Sequence, residues 1–277
     1  MTQSVIQTKK NQQRRKPNLQ AWYRPTFSPE QGVLLVLLGS FLTGAALAQA
    51  WTPSATLALI CAFFALQAEH PMVVQLKQRK SWKPRYLLWG GFYGGVAALI
   101  AGWLYLEHPV LLWVYGGAIA ALSLEARAVV VRQQKSVTNE LIMFMAICLC
   151  CPLAYGAITG EITTTAIGMW LLNGLFFSSA IFTIKLRKQK NHSLLPGLVY
   201  HGIATLLVIG LYYLNWLSLI TALAFCLAVV KFGIVSCFIR WYCRARFEFI
   251  ARFETYFALL FVTVAAISVL PAHLPVT

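Results

Sequence analysis

Glu69 and His70 stand at the end of an apolar run, directly before Pro71. A carboxylate beside an imidazole can exchange protons or contact the polar head of a bound molecule, so both are candidate catalytic residues. Proline disfavours helical backbone at the residue before it and leaves the carbonyl of Gln67 without its helical partner. Polar side chains beside an interrupted membrane helix are typical of a cavity, so we predict a helix break and a site here.

Basic side chains follow this pair in QLKQRKSWKPR (75–85), and a similar basic exit, KLRKQK (185–190), follows the apolar run LFFSSAIF. Such cations could bind the phosphate of a lipid directly. A few polar side chains also lie inside apolar runs, where lipid penalises them. The candidate substrate or anion contacts are Gln67, Lys77, Arg79, Lys80, Asn173, Lys185, Arg187, His201 and Lys231.

The composition places these groups in a membrane protein. Of the 277 residues, 59% are hydrophobic and 11% are charged, whereas a soluble domain has about 25% charged residues. No soluble core could bury so many apolar side chains. The first 30 residues are polar and basic and do not resemble a cleaved signal peptide.

Apolar runs between polar breaks predict nine membrane spans, because a bilayer core of about 30 Å needs about 20 apolar residues per helix. We therefore predict an all-α, polytopic transmembrane helical bundle. Residues 28–277 would form this single transmembrane domain, behind a basic, disordered cytoplasmic tail at 1–27. The predicted spans are 31–50, 53–70, 87–106, 109–127, 139–158, 162–184, 194–213, 216–239 and 252–270.

The cations predict the orientation of the bundle. All of the 23 Lys and Arg except Lys231 lie in the tail or in every second connection between spans. Positively charged connections stay in the cytoplasm, so the N-terminus would be cytoplasmic and the C-terminus on the opposite side of a plasma or thylakoid membrane. Topology and attraction to anionic lipid headgroups explain this charge, so we predict membrane lipids and no nucleic acid as partners.

Ordinary structural roles remain open for the polar groups in the spans. Lys231 could reach the headgroups along its own stem, and His201 could donate a hydrogen bond to a neighbouring helix. The carboxylates of Glu125, Glu140 and Glu254 could pair with interfacial cations. In the predicted topology the polar groups in the spans, except Asn173, lie toward the cytoplasmic side, which favours a pocket open to the cytoplasm over a path through the membrane.

Cysteine usage does not predict disulfides or a metal site. Six of the 7 Cys fall within or at the end of predicted spans, which argues against structural disulfides. The segment CLCC (148–151) contains a CxxC spacing, but two further ligands are missing nearby, and Cys is a common small packing residue. We therefore expect no metal and no other cofactor.

Four segments of the chain carry a resemblance to a known family: SPEQGVLLVLLGSFLTG (28–44), QAEHPMVVQLKQRKSWKPR (67–85), NELIMFMAICLCCPLAY (139–155) and LFFSSAIFTIKLR (175–187). They resemble the YwiC-like family of bacterial membrane proteins, and their details are most similar to cyanobacterial members. The resemblance covers nearly all of the chain after the tail. It implies a multi-pass membrane protein and does not imply a particular activity.

The predicted architecture is also similar to that of UbiA-type intramembrane prenyltransferases, and this similarity implies a UbiA-like arrangement of the helices. Those enzymes hold a prenyl diphosphate through Mg²⁺ on Asp-rich motifs at the ends of helices 2 and 6. This chain contains no Asp, and Glu69 is the only acid at the end of span 2. Mg²⁺-dependent prenyl transfer is therefore not expected.

Three functions remain open from the sequence, and with them the question whether the protein is an enzyme. The first is a divergent transferase, or a binding protein for a lipid or isoprenoid, with a pocket facing the cytoplasm. A phosphate-bearing lipid is one candidate ligand. The second is a secondary transporter that uses Glu69, His201, Lys231 and Glu254 as a relay. The third is a non-catalytic membrane factor that assists assembly of a larger complex.

Overall fold

The computed structural model describes residue 26 and residues 31–78, 83–187 and 193–270, and its regular structure in these ranges is helical. The prediction of a disordered tail, and Arg79 and Lys80 among the candidate contacts, lie outside the described residues. The helices are α1 Gln31–Ala48, α2 Pro53–Lys77, α3 Pro84–Glu107, α4 Leu112–Val131, α5 Val137–Cys148, α6 Cys150–Thr159, α7 Thr164–Leu186, α8 Leu195–Tyr213, α9 Leu219–Leu223, α10 Cys226–Cys237, α11 Ile239–Arg244 and α12 Phe247–Val269.

Eight helical segments in the described ranges are long and apolar enough to cross a membrane. Two of them are interrupted: α5 and α6 share the segment Val137–Thr159, and α9 and α10 share Leu219–Cys237. The remaining predicted span corresponds to α1, whose apolar part, Gly32–Ala48, is shorter than the eight spanning segments. The predicted all-α polytopic bundle is thereby confirmed.

The predicted helix break at Pro71 is wrong. Helix α2 continues through this proline to Lys77. Proline lacks the N–H of a helical hydrogen bond, but membrane helices tolerate it where a neighbouring helix packs closely. Gly90 of α3 supplies that packing, because a Cβ added at Gly90 would lie 3.5 Å from Cγ of Pro71. The small residue thus makes room for the proline ring.

Helix α1 lies in the interior of the bundle, although its apolar part is shorter than the eight spanning segments. The Phe41 side chain is fully buried, and Ser40 donates a 2.9 Å hydrogen bond to the Cys148 carbonyl. A Cβ on Gly44 would overlap the Cys151 carbonyl oxygen, so α1 and α6 approach more closely than any larger residue would permit. These contacts make α1 part of the core.

Several basic connections meet at one end of the bundle. Lys185, in the last turn of α7, pairs with Glu140 at 2.9 Å and donates to the Lys135 carbonyl at 3.0 Å. Arg187, just after α7, donates to the Ala245 carbonyl at 2.7 Å. The connections before α5, after α7 and before α12 are therefore neighbours, and we call this the basic end.

Candidate functional site

Three of the predicted site residues, Glu69, His201 and Lys231, lie in two separate places in the bundle. Glu69 lines a cavity between helices of the first half of the chain. Lys231 lies in a polar cluster between α7, α10, α11 and α12, and His201 packs beside it. We predicted from the sequence that these residues act together, but the structure places them against different helices.

The first place, which we call the Glu69 cavity, is an apolar space of about 260 Å³ between α1, α2, α4, α5 and α6. Aliphatic side chains dominate its wall, and Glu69 supplies a carboxylate. Cys61, eight residues earlier on α2, also lines it. With a helical rise of 1.5 Å per residue, these two side chains are about 12 Å apart along the helix. The cavity is therefore elongated along α2.

The two neighbours of Glu69 that we proposed as partners do not line this cavity. His70 is half-buried, and Gln67 is 2% exposed, but neither belongs to the cavity wall. Successive helical residues point about 100° apart, so adjacent side chains on an unbroken helix face different surroundings. Because α2 does not break at Pro71, Glu69 and His70 do not point into a common space.

A second polar group in the cavity wall is the phenol of Tyr115 on α4. Its hydroxyl oxygen is buried and has no hydrogen-bond partner among the described residues. Burying a hydroxyl without a partner costs free energy, and such atoms in native proteins commonly bond to a water or a ligand. Sequence reasoning did not single out Tyr115, because tyrosine is common in membrane spans and its lack of a partner is visible only in three dimensions.

The second place is a buried ion pair. Nζ of Lys231, on α10, lies 2.8 Å from Oε2 of Glu254, on α12, and the lysine side chain is 2% exposed. The ammonium also lies 5.3 Å from the ring centroid of Phe176, within cation–π range. The sequence left open whether Lys231 reaches the headgroups. The structure shows that it does not, and that Glu254 pairs with this interior cation.

Two hydroxyls complete the coordination of Glu254. Thr183 of α7 donates to Oε1 at 2.8 Å, and Tyr242 of α11 donates to the same oxygen at 3.3 Å. Burial, and next the nearby Glu254 carboxylate, raise the pKa of the Tyr242 phenol. The phenol is therefore held neutral as a donor. We call Thr183, Lys231, Tyr242 and Glu254 the Lys231 cluster; sequence reasoning missed its two hydroxyl members.

His201 borders the Lys231 cluster. Its ring stacks on Phe232, the residue after Lys231, with ring centroids 4.3 Å apart. Nδ1 lies 2.7 Å from the Gly197 carbonyl of the same helix, so this nitrogen carries the proton of the hydrogen bond. Nε2 is buried and has no partner among the described residues. The expected bond to a neighbouring helix is therefore absent here.

Asn173 lies mid-way along α7 and is fully buried. Its amide nitrogen donates to Oγ1 of Thr43 on α1 at 2.8 Å, and its Oδ1 has no partner among the described residues. The Oγ atoms of Ser178 and Ser179 on α7 are also buried without partners there. Helix α7 thus carries several buried polar atoms with unused hydrogen-bonding capacity.

The three described loop cations of the predicted anion site are not gathered around one pocket. Lys77 is exposed at the end of α2. Lys185 and Arg187 are engaged with Glu140 and with the Ala245 carbonyl at the basic end. Among the described residues, no three His, Cys, Asp or Glu side chains form a group that could hold a metal ion.

Comparison with known protein families gives a match over the first half of the bundle. Residues 27–155 match the family model described as YwiC-like protein. A search of the curated proteins gave no match to this sequence. Every residue that lines the Glu69 cavity lies inside the matched stretch, whereas the Lys231 cluster lies beyond it. The chain is therefore similar to the YwiC-like proteins over residues 27–155, which confirms the resemblance predicted from the sequence for the half of the bundle that contains the Glu69 cavity.

Proposed function

We propose that this integral membrane protein binds a lipid or isoprenoid amphiphile in the Glu69 cavity. The observation that carries the proposal is an apolar cavity lined by Glu69 and by Tyr115, whose buried hydroxyl has no hydrogen-bond partner among the described residues. Binding sites for small molecules typically combine an apolar wall with a few polar groups that orient the ligand. The Lys231 cluster belongs to other helices and is not needed for this function.

The direction of the cavity along α2 suggests how such a ligand would lie. Glu69 is eight residues before Lys77, the last residue of α2, and Cys61 is eight residues before Glu69. An apolar chain would therefore extend from Glu69 toward Cys61, away from Lys77. Its polar head would meet the Glu69 carboxylate.

The chemistry of Glu69 narrows the class of head group. An ionised carboxylate accepts hydrogen bonds and repels another anion, so a hydroxyl or amine head suits it better than a bare phosphate. Lys185 and Arg187, which we considered as phosphate contacts, already contact Glu140 and the Ala245 carbonyl. We therefore favour a neutral or cationic amphiphile, such as an isoprenoid alcohol, over a phosphate-bearing lipid.

A divergent transferase would use the same cavity, with Glu69 as the acid or base. The UbiA-like arrangement of helices remains a proposal of this kind. The absence of Asp argues against the Mg²⁺-dependent reaction of those enzymes. If the purified protein turned over a prenyl substrate without added Mg²⁺, it would be an enzyme and not only a binding protein.

The test is native mass spectrometry of the full-length protein after gentle extraction. We expect a retained lipid adduct in the wild type and its loss in Ala118→Trp, which fills the cavity wall. Leu99→Trp is the matched control, because Leu99 is 77% exposed and does not line the cavity. Glu69→Gln should weaken retention and change which lipids are retained.

Other outcomes would favour the alternatives. Equal adducts in the wild type and in Ala118→Trp would contradict binding in the cavity. Substrate flux in proteoliposomes that is lost in Lys231→Met would favour a secondary transporter. A stable protein partner without bound lipid or flux would favour an assembly factor.

A further inference from the structure

A second apolar space lies across α4 from the Glu69 cavity. It is a groove of about 510 Å³ between α4, α5, α6 and α7, and we call it the Trp113 groove after one of the residues that line it. Ala118 and Leu122 of α4 line the cavity, whereas Ala120 and Leu124, each two residues further along, line the groove. Helical residues two apart point about 200° apart, so the two spaces flank opposite faces of α4.

The wall of the Trp113 groove suits a hydrocarbon chain. Among the described residues that line it, none is charged and none bears a hydroxyl. Trp113 and Leu124 are exposed, so the groove opens to the surroundings of the bundle, which in a membrane are lipid chains. An apolar chain would give up no hydrogen bond in this groove, whereas a charged head would find no opposite charge there.

The Glu69 cavity and the Trp113 groove share one wall. Val114 and Ala121 of α4, Ala146 of α5 and Leu149 at the start of α6 line both spaces, and we call these four residues the partition. At about 100° per residue, Val114 and Ala121 project between the two faces of α4 that line the cavity and the groove. Two of the four side chains are single methyl groups, so little side-chain bulk separates the two spaces.

The partition coincides with the interruption between α5 and α6. The N–H of Leu149 bonds to the Ala146 carbonyl, three residues earlier, at 3.1 Å. The Met145 carbonyl accepts instead from Nε1 of Trp170, on α7, at 2.8 Å. The regular hydrogen-bond pattern is therefore already lost at the partition, so a small shift of Leu149 costs less there than in an intact helix.

The size of the Glu69 cavity makes this shared wall important. Pockets for small molecules usually have volumes of about 300–1,000 Å³. The Glu69 cavity, at about 260 Å³, lies below that range, and a head group at Glu69 would take part of its volume. A long apolar chain therefore needs further space, and the larger Trp113 groove lies directly across the partition.

We propose that the apolar chain of the amphiphile runs from Glu69 along α2, crosses the partition and lies in the Trp113 groove. This inference rests on the proposed function, and it narrows the ligand to amphiphiles whose chain is too long for the Glu69 cavity alone. The head group meets Glu69 and Tyr115, and the end of the chain packs against Ile167 and Trp170 of α7. A short-chain amphiphile needs only the cavity.

The test compares two isoprenoid alcohols, geraniol and the longer geranylgeraniol, by native mass spectrometry of the delipidated full-length protein. We expect Ala120→Trp, which fills the groove, to keep the geraniol adduct and to lose the geranylgeraniol adduct. Ala118→Trp, which fills the cavity from the same helix, should lose both adducts. Leu99→Trp, at an exposed residue that lines neither space, is the control and should keep both.

Photo-crosslinking of the wild type locates the chain without a substitution. Among the described residues, none of α7 lines the Glu69 cavity and none of α2 lines the Trp113 groove. A geranylgeraniol analogue with a diazirine at the end of its chain should therefore label α7, at Ile167 or Trp170. Labelling of α2 without α7 overturns the proposal.

The remaining outcomes separate this inference from the proposed function. Loss of both alcohols in Ala120→Trp, or of neither, overturns the role of the groove. If geranylgeraniol is lost in Ala118→Trp and kept in Ala120→Trp, the Glu69 cavity stands as a binding site and the groove is rejected. Binding of neither alcohol to the wild type also overturns this inference, whereas the native lipid retained on extraction still decides the proposed function.

Discussion

The ammonium of Lys231 lies 2.8 Å from the Glu254 carboxylate and joins α10 to α12 in the apolar interior. Both helices expose much of their surface, and this polar contact links them beside the apolar side chains that they contribute to the core, such as Ala228 of α10 and Phe261 of α12. In a low-dielectric interior, the two charges depend on each other, because either one alone would be buried without compensation.

Removing one member of this pair should destabilise the protein strongly. We expect Glu254→Gln to lower the free energy of unfolding by about 3–5 kcal/mol, because Lys231 would be left as an uncompensated buried charge. Lys231→Met/Glu254→Gln should recover most of this loss. The measurement is reversible unfolding in mixed micelles. Lys185→Met is the control and should cost at most about 1 kcal/mol, because its pair with Glu140 is more exposed.

Gly44 should tolerate no side chain. In Gly44→Ala the new Cβ would overlap the Cys151 carbonyl, so α1 and α6 must separate. We expect a loss of about 1–3 kcal/mol in the free energy of unfolding, as for an overpacked core. Gly102→Ala is the control, since a Cβ there meets no atom within 4 Å, and it should change stability by less than about 1 kcal/mol. Equal effects would mean that the close approach is not required.

Tyr115 should affect ligand binding and stability in opposite directions. Tyr115→Phe removes a buried hydroxyl that has no partner among the described residues. We expect stability of the ligand-free protein to stay constant or to rise by up to about 1 kcal/mol. The retained lipid adduct should decrease, as measured by native mass spectrometry. If Tyr115→Phe reduced stability and left the lipid adduct unchanged, the hydroxyl would stabilise the fold and would not bind the ligand.

Tyr242 should make stability depend on pH under alkaline conditions. Burial and the Glu254 carboxylate raise the pKa of this phenol in the folded protein. The unfolded chain therefore loses the phenolic proton first, so this stabilising contribution is complete below about pH 10 and decreases as the pH rises further. Stability should fall more steeply above that pH in the wild type than in Tyr242→Phe. Parallel curves would contradict the assignment.

Cys243 can report the orientation of the bundle. It lies on α11, among the arginines of the basic end, and is half-buried and not in a disulfide. In a variant that retains only this cysteine, a membrane-impermeant maleimide should label the protein in inverted vesicles and not in intact cells. Labelling in intact cells would reverse the predicted topology. A single cysteine at position 161, between α6 and α7, is the control and should give the opposite result.

The positions and order of the spans followed from the sequence because eight apolar segments of the described ranges have the length that a bilayer demands. The interruptions within Val137–Thr159 and Leu219–Cys237 were not predicted. The break at Pro71 did not follow, because the rule for proline considers only the local backbone. The space that Gly90 gives to the proline ring comes from a different helix. A prediction from local rules therefore fails where tertiary packing compensates for the missing hydrogen bond.

The sequence allowed several residues of the candidate sites to be predicted, but it did not show which of them lie next to each other. Lys231, His201 and Glu254 were singled out because lipid penalises such groups, and they do lie together. Their separation from Glu69 depends on which helices are neighbours, and a list of spans does not contain that information. Thr183 and Tyr242 were missed because a hydroxyl becomes informative only when its partner is a buried carboxylate.

The continuity of α2 has a consequence for membrane depth. Its 25 residues extend about 37 Å, which exceeds a hydrocarbon core of about 30 Å, so the end at Lys77 emerges among the headgroups. Glu69 then lies about 12 Å below that ammonium, where water is scarce. A head group that binds Glu69 would lose its water shell and gain one contact with a carboxylate. Binding would therefore favour molecules whose head groups cost little free energy to dehydrate.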